Sequence, residues 1–410
     1  MYKRQGDAEP VRDRPRRIPL HKRPLVEKYV KEMLDAGVIQ PSESPWAACP
    51  VLVGKPDGAT RWCVDWRGLN AVTVKDSYPM PRVDDCLESL EGSEWFCSMD
   101  LQHGYWQIPL RREDWQKTAF TTHMGLYEFT KTPMGVCNAP ATFQRIMEAV
   151  LNGLDVSIAV IYIDDIVVPG PTVEICAERL VGVLQRLENA GLKLKTKKCH
   201  LFQRSIDFLG HKVCKDGISP SAAKIQDIDK WPEPKSIYDV RAFLGLAGYY
   251  RRMIKNFADM AAPLHRLLKK GVAFAWSKEC EKAFLGLKNA LSSEQVMAFP
   301  RPTGKYILDT DASDAAAGAV LSQIQDGVEK VIAYWSKGWS ASQKNYSVTR
   351  REMLASLLAM EAFRYYLLGL DNFDLRTDHS CLRWLRNHKS DEPLVNPVSY
   401  THLTLPTTSP

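Results

Sequence analysis

No apolar run approaches the ~18–20 residues that a membrane span requires. The most apolar stretch, 156–168, is broken by two adjacent aspartates. No apolar signal segment opens the chain either; its N-terminus is arginine-rich, which argues against secretion. The ten cysteines include no C-x-x-C pair, and a chain of this length does not need disulfide staples, so free thiols in a reducing compartment are expected. Cys199-His200 with His211 and Cys214 is the one local cluster. Its spacing suits core or surface side chains better than a tetrahedral zinc site. Charge of one sign is scarce: 54 Lys and Arg against 48 Asp and Glu leave +6. That surplus permits a polyanionic partner without demanding one. Internal repeats, low-complexity tracts, a D-[ST]-G triad and a His-His-Cys-Cys zinc region are all missing, so no aspartic protease or integrase module lies within the chain.

What is present is ordinary globular protein: 410 residues, 45% apolar and 25% charged. At ~100–200 residues per domain this makes two to four domains. An Arg/Pro-rich arm over 1–20 precedes a helix over 24–36, with Val26, Tyr29, Val30, Met33 and Leu34 on one stripe. Strands over 49–54 and 61–65 flank the Pro56-Asp57-Gly58 turn and read as a hairpin. Another strand, 95–101, carries Asp100 near its end, and Pro140 opens a helix with Phe143, Ile146, Met147 and Val150 turned inward. The segment 156–168 reads as strand, turn and strand with Asp164 and Asp165 at the turn, followed by a helix over 173–189. Ser236 and Ser277 signal later helix starts. Beyond Pro302, strands over 306–311, 317–322 and 331–334, a helix over 348–368 and a strand over 373–377 form a separate α/β unit, with a boundary near residue 300.

Two like charges inside Ile161-Tyr162-Ile163-Asp164-Asp165-Ile166-Val167-Val168 conflict with their surroundings, because an unpartnered carboxylate there costs several kcal/mol or changes its pKa. A divalent cation resolves the conflict, and Asp100 could add a third oxygen if the strands are neighbours. An isolated Asp-Asp pair would equally be a solvated turn. The wider pattern decides between them. Y-I-D-D resembles the Y-x-D-D box of reverse transcriptases, and 98–110 resembles their first-aspartate motif. The run 117–145 is very similar to gypsy-type long-terminal-repeat retrotransposon enzymes, as are 61–70, 208–213 and 243–254. The resemblance extends to about residue 388.

That resemblance implies an α+β right-hand polymerase of fingers, palm and thumb, followed by a connection and an α/β ribonuclease H-like domain. The implied segments are 1–20 arm, 21–218 fingers and palm, 219–300 thumb and connection, and 301–390 ribonuclease H-like domain. It implies metal-binding catalytic carboxylates at Asp100, Asp164 and Asp165, triphosphate contacts from Lys55 and Arg61, and a sugar-excluding ring at Tyr105. It further implies a nucleotide contact from Gln144 and primer support from Leu209 and Gly210. Met134, Val136 and Cys137 depart from the family's usual residues. Lys193, Lys195 and Lys197 recur at period two on an expected strand, which would set all three on one nucleic-acid-facing side. Arg251, Arg252 and Lys255 after Tyr249-Tyr250 add basic character to the thumb region.

A second carboxylate set follows. Period two places Asp309 and Asp311 on one strand face. T-D-A-S, R-E-M-L-A and R-T-D-H resemble successive ribonuclease H motifs, which implies Asp311, Glu352 and Asp378 as metal ligands. The family's fourth aspartate has no counterpart after Asp378, and 398–407 resembles a translated sequencing adapter. The domain is therefore expected to be truncated, with 391–410 an artefactual tail. The expected cofactor is Mg²⁺, two ions per site, with Mn²⁺ as substitute. Expected partners are RNA template, DNA primer, RNA–DNA hybrid and dNTPs, with no membrane; protease and integrase modules would belong to the parent polyprotein. The expected location is intracellular, in cytoplasmic virus-like particles with later nuclear entry. A different class of reading is a non-catalytic nucleic-acid-binding relic of a decayed element.

Overall fold

The computed structural model describes residues 8–54, 60–153, 158–293 and 295–378, with only the backbone of Arg61. Lys55 and the tail 391–410 lie outside these. The chain divides into two compact units, 1–206 and 207–410.

In the first unit Arg12 of the arm bridges to Ala47, ahead of helix α1 (Arg23–Asp35). Val26, Val30 and Met33 of α1 are buried at three- and four-residue spacing, the stripe expected of a half-buried helix. They pack with Phe120, Tyr127 and Phe129 into a fingers core. Those three residues come from a small antiparallel sheet of β1 (Ile39–Pro41), β5 (Phe120–Thr122) and β6 (Gly125–Phe129), in the order β1-β6-β5. The expected pair of antiparallel strands is present as β2 (Pro50–Gly54) and β3 (Thr60–Val64), registered from Pro50↔Val64 to Gly54↔Thr60, while the Pro56-Asp57-Gly58 turn lies outside the described residues. Two short helices, α2 (Arg67–Val72) and α3 (Val83–Glu88), lead to the second core.

That core lies under a four-stranded sheet in the order β7-β8-β4-β9, formed by β4 (Trp95–Asp100), β7 (Val160–Tyr162), β8 (Asp165–Gly170) and β9 (His200–Gln203). Helices α4 (Ala139–Val150) and α5 (Val173–Asn189) cover one face. Helix α5 starts where Thr172 accepts a hydrogen bond from the Ile175 amide and buries Cys176, Leu180, Val183 and Leu187. Each such side chain contributes about 1.5–3 kcal/mol on burial. Cys97 and Met99 of β4 and Ile166 and Val168 of β8 share this core. Side chains alternate along a strand, so Asp100 and Asp165 project to the opposite face. Beneath the sheet, Cys97 and Cys176 are free thiols with sulfurs 3.6 Å apart.

The second unit opens after β10 (Ser205–Phe208) with the hairpin β11 (His211–Cys214) and β12 (Gly217–Pro220), then α6 (Ala222–Asp229). Helix α7 (Ile237–Tyr249) is capped by Ser236 and α9 (Lys278–Ser292) by Ser277, with α8 (Phe257–Leu267) between them. A second four-stranded sheet follows in the order β15-β14-β13-β16. Its strands are β13 (Tyr306–Ala312), β14 (Ala316–Gln325), β15 (Val328–Gly338) and β16 (Asp374–Thr377), the last parallel to β13. Helix α10 (Val348–Ala362) lies on this sheet and gives way to a short turn of helix at Arg364–Leu367. Among the described residues, no helix is long and apolar enough to cross a membrane.

Candidate active site

Strands β4 and β8 bring the first carboxylates together. Their register sets Asp100 opposite Asp165, and Tyr162 opposite Asp165 closes β7 onto β8 through a two-residue turn of Ile163 and Asp164. Turns this tight need a left-handed residue to match the strand twist. Ile163 supplies it at φ 57°, although its branched Cβ makes that conformation cost ~1–2 kcal/mol. Asp164 therefore sits at the tip and Asp165 at the foot of one turn, beside the end of β4.

Neighbouring segments crowd this turn. Gly104, in a 3-10 turn over Gly104–Gln107, is so close that an added Cβ would lie 3.2 Å from Phe143 Cζ and 3.3 Å from Asp164 Cβ. Tyr105 meets Phe143 edge-on at 5.4 Å and is half-buried; burial, then the charge of Asp164, raises its phenol pKa. Lys198 forms an ion pair with Asp100, whose carboxylate raises the ammonium pKa. Asp165 is pushed up to about 6, first by burial and then by the negative charges of Asp164 and Asp100, against the lowering effect of Lys198. Asp165 keeps solvent contact, so its carboxyl lies in a crowded, open cleft rather than a sealed one. Three hard-oxygen donors with excess negative charge fit a divalent cation in chemistry. Their oxygens do not all lie within 4.8 Å of one another, the spacing that the second carboxylate set does reach.

Other expected positions fall differently. Gln144 is 1% exposed. Its amide oxygen accepts from the Ile163 N–H at 2.8 Å, and its amide nitrogen donates to Ile161 O at 3.2 Å and to Glu148 at 2.8 Å. The polar end expected at a nucleotide is thus committed to the backbone of the turn. Gln107 does the same for the lysine segment, accepting from the Lys193 N–H at 2.7 Å and donating to Lys193 O at 2.9 Å.

Lys193, Lys195 and Lys197 do not share a regular strand. Leu194 makes an isolated bridge to Leu101, and a 3-10 turn occupies Thr196–Lys198. The period-two argument fails because the backbone curls at Thr196, although all three lysines are exposed. That same curl delivers Lys198 to Asp100. Lys198 is not among the expected site residues, although the doubled lysine that breaks the alternation marks it in the sequence.

Leu209 and Gly210 turn left-handed at φ 49° and 73° ahead of β11. Tyr249 donates to Leu209 O at 2.8 Å, and Tyr250 donates to Gly210 O at 2.7 Å. His211 Nδ1 pairs with Leu209 O at 2.8 Å. For Arg61, the backbone lies in β3 opposite Val53.

In the second unit, Asp311, Glu352 and Asp378 place ligand oxygens all within 4.8 Å of one another. Adjacent parallel strands explain the two aspartates, since Thr310↔Thr377 is the last registered pair before them. Glu352 comes from the second turn of α10, whose start Ser347 caps. One carboxylate oxygen of Glu352 accepts from the Ala312 N–H at 3.2 Å, and below it Thr310 and Ser356 hydroxyls meet at 2.9 Å. Asp309 lies beside Arg376 in register, outside the trio; burial raises its pKa while Arg376 opposes the rise.

Residues 53–213 match the family model described as reverse transcriptase (RNA-dependent DNA polymerase), and 276–375 match the RNase H-like domain found in reverse transcriptase. The retrovirus-related Pol polyprotein from transposon 297 of Drosophila melanogaster is 40% identical over 89% of this chain and 34% of its own length. That from transposon 412, also of Drosophila melanogaster, is 34% identical over 97% of this chain and 32% of its own. The transposon Tf2-3 polyprotein of Schizosaccharomyces pombe is 34% identical over 90% and 28%. This chain thus spans about a third of the curated relatives it matches. Among solved structures, a foamy viral protease-reverse transcriptase in complex with double-stranded DNA covers 97% of this chain and 70% of its own at TM-score 0.85 and 21% identity. The same viral protein with an RNA/DNA hybrid gives TM-score 0.80 over 97% and 53%, again at 21% identity. These likenesses bear out the polymerase-plus-ribonuclease-H fold expected from sequence. The chain belongs to the reverse transcriptase and ribonuclease H region of the Pol polyproteins of gypsy-type long-terminal-repeat retrotransposons.

Proposed function

We propose that this chain is an RNA-directed DNA polymerase that also copies DNA, using Asp100, Asp164 and Asp165 for nucleotidyl transfer. The single observation that carries the reading is the register of Asp100 with Asp165, with Asp164 on the adjoining turn. Asp100, Asp164 and Asp165 would hold magnesium, or manganese in its place. When bound, the metal supplies Lewis acidity to the primer 3′-hydroxyl and to the departing pyrophosphate. The protein contributes position. Tyr105, braced by Phe143, offers an aromatic wall next to Asp164, where a ribose 2′-hydroxyl would collide. Lys55 and Arg61 would take the triphosphate, and the exposed Lys193, Lys195 and Lys197 would contact template or primer phosphates without reading sequence. Leu209 and Gly210, pinned by two tyrosines, would support the primer end.

Support for the substrates comes from the foamy viral enzyme, solved with double-stranded DNA and with an RNA/DNA hybrid. Asp311, Glu352 and Asp378 would hold the same kind of cation to cut RNA in such a hybrid. In the full polyprotein, protease and integrase modules would accompany this region. Primer extension on poly(rA)/oligo(dT) with Mg²⁺, comparing the natural chain with Asp164→Asn, tests the proposal. Incorporation lost in the variant supports it. Absence of incorporation from both proteins favours the reading as a non-catalytic nucleic-acid-binding relic.

A further inference from the structure

We propose that Gln144, Glu148 and Tyr78 form a positioning relay that fixes the turn carrying Asp164 and Asp165, setting the rate of chemistry rather than nucleotide affinity. The inference rests on the polymerase reading above and assigns its site a support. Strand β7 is an edge strand, and Tyr162 faces Asp165 across the hairpin. By the alternation of antiparallel ladders, the polar backbone groups of Ile161 and Ile163 then point away from β8. Gln144 meets both: it accepts from Ile163 N–H and donates to Ile161 O, as a further strand would. The strained Ile163 is thereby held from outside the turn.

Glu148 fixes which way the amide faces, because one carboxylate oxygen takes the second amide proton at 2.8 Å. Its other oxygen accepts from the Tyr78 hydroxyl. The Tyr78 ring lies under the Arg145 guanidinium at 4.6 Å, and Arg145 bonds Asp76 at 2.7 Å. The line therefore ends on an anchored ring. At 1% exposure, Gln144 could reach a nucleotide only by breaking both backbone bonds.

Single-turnover incorporation on a primed RNA template, over a range of dNTP concentrations, tests the relay. Displacement of reacting groups by about 1 Å costs on the order of 100-fold. Gln144→Met should lower the maximal rate by roughly 30- to 100-fold with dNTP affinity changed less than about threefold. Tyr78→Phe should lower it by roughly 3- to 10-fold, and Glu148→Gln should recover most of what Glu148→Ala loses. The double variant Gln144→Met/Tyr78→Phe should be no slower than Gln144→Met alone. Lost affinity at an unchanged maximal rate would make Gln144 a nucleotide contact and overturn the relay, as would additive losses in the double variant. If Gln144→Met does not fold, unchanged maximal rates in Tyr78→Phe and Glu148→Ala overturn it. If the natural chain is as silent as Asp164→Asn, the polymerase reading fails instead. Amide exchange at Ile163 then decides the relay: faster exchange in Tyr78→Phe and Glu148→Ala supports it, and unchanged exchange refutes it.

Discussion

Asp100 and Asp165 face each other across two antiparallel strands, in direct register, with their carboxylates on the side of the sheet away from its helices. Like charges so placed oppose folding until something neutralises them. The Asp165 carboxyl is pushed up from 3.8 to about 6, so the folded chain holds this proton more tightly than the unfolded chain. Stability contributed at low pH is then lost as pH rises from about 4 to about 6, and the loss stays constant above. Asp165→Asn should raise the metal-free melting temperature at pH 7.5 by roughly 2–4 °C, corresponding to about 1 kcal/mol after allowance for solvent screening. The two proteins should converge below pH 4, and Mg²⁺ should stabilise the natural chain more than the variant. Thermal melts in EDTA across pH 4–8 check this; parallel curves would refute the linkage.

Gly104 sets the clearance behind Asp164. A methyl group there presses Phe143, which is fully buried, and Asp164 Cβ, which has more freedom to yield. Gly104→Ala should therefore displace the carboxylate and lower kcat about tenfold, leaving KM for dNTP near its natural value. Loss of melting temperature equal to a core defect, with kcat preserved, would place the effect in packing alone.

Tyr105 should govern sugar choice. Tyr105→Ala removes the aromatic wall and should raise ribonucleotide incorporation, relative to deoxynucleotide, by about tenfold or more. Competition assays with paired rNTP and dNTP read the ratio directly; unchanged discrimination would remove this residue from the site.

Much of the scaffold was legible because its signals are local and redundant. The helix Val173–Asn189 shows its apolar repeat and its Gly191 stop in the letters themselves, and the strands around Asp100 and Asp165 follow from apolar runs. The lysine segment is not legible in this way, because period two alone cannot distinguish a strand from a stretch that bridges once at Leu194 and then curls. Gln144 stands next to residues of a recognisable motif, yet which backbone its amide meets depends on α4 packing against β7, a contact made across 17 residues. The partnership of Lys198 with Asp100 spans 98 residues and leaves no local trace.

At the turn of Leu209 and Gly210, Tyr250→Phe deletes one hydrogen bond to a carbonyl and should cost about 0.5–1.5 kcal/mol of stability. If that turn supports a primer end, the same variant should weaken extension of a terminally paired primer more than it weakens binding of the duplex. Equal losses in both would point to general thumb damage.

The ribonuclease H trio offers a graded test. Three carboxylate ligands are assembled at Asp311, Glu352 and Asp378; among the described residues no fourth joins them, and cleavage of a labelled hybrid should be weak. Calorimetric titration with Mn²⁺ should nonetheless show a site that Asp311→Asn removes. Robust Mg²⁺-dependent cutting abolished by the same substitution would show that three ligands suffice.

An isoleucine at position 163, forced left-handed, has a consequence for how this sequence can drift. Glycine there would relax the bend and ease the folding of the hairpin, yet it would also open conformations that the branched side chain forbids. Stiffness at that corner comes from the same methyl groups that make it uncomfortable, so a more stable descendant of this chain could readily be a less accurate aligner of its two aspartates.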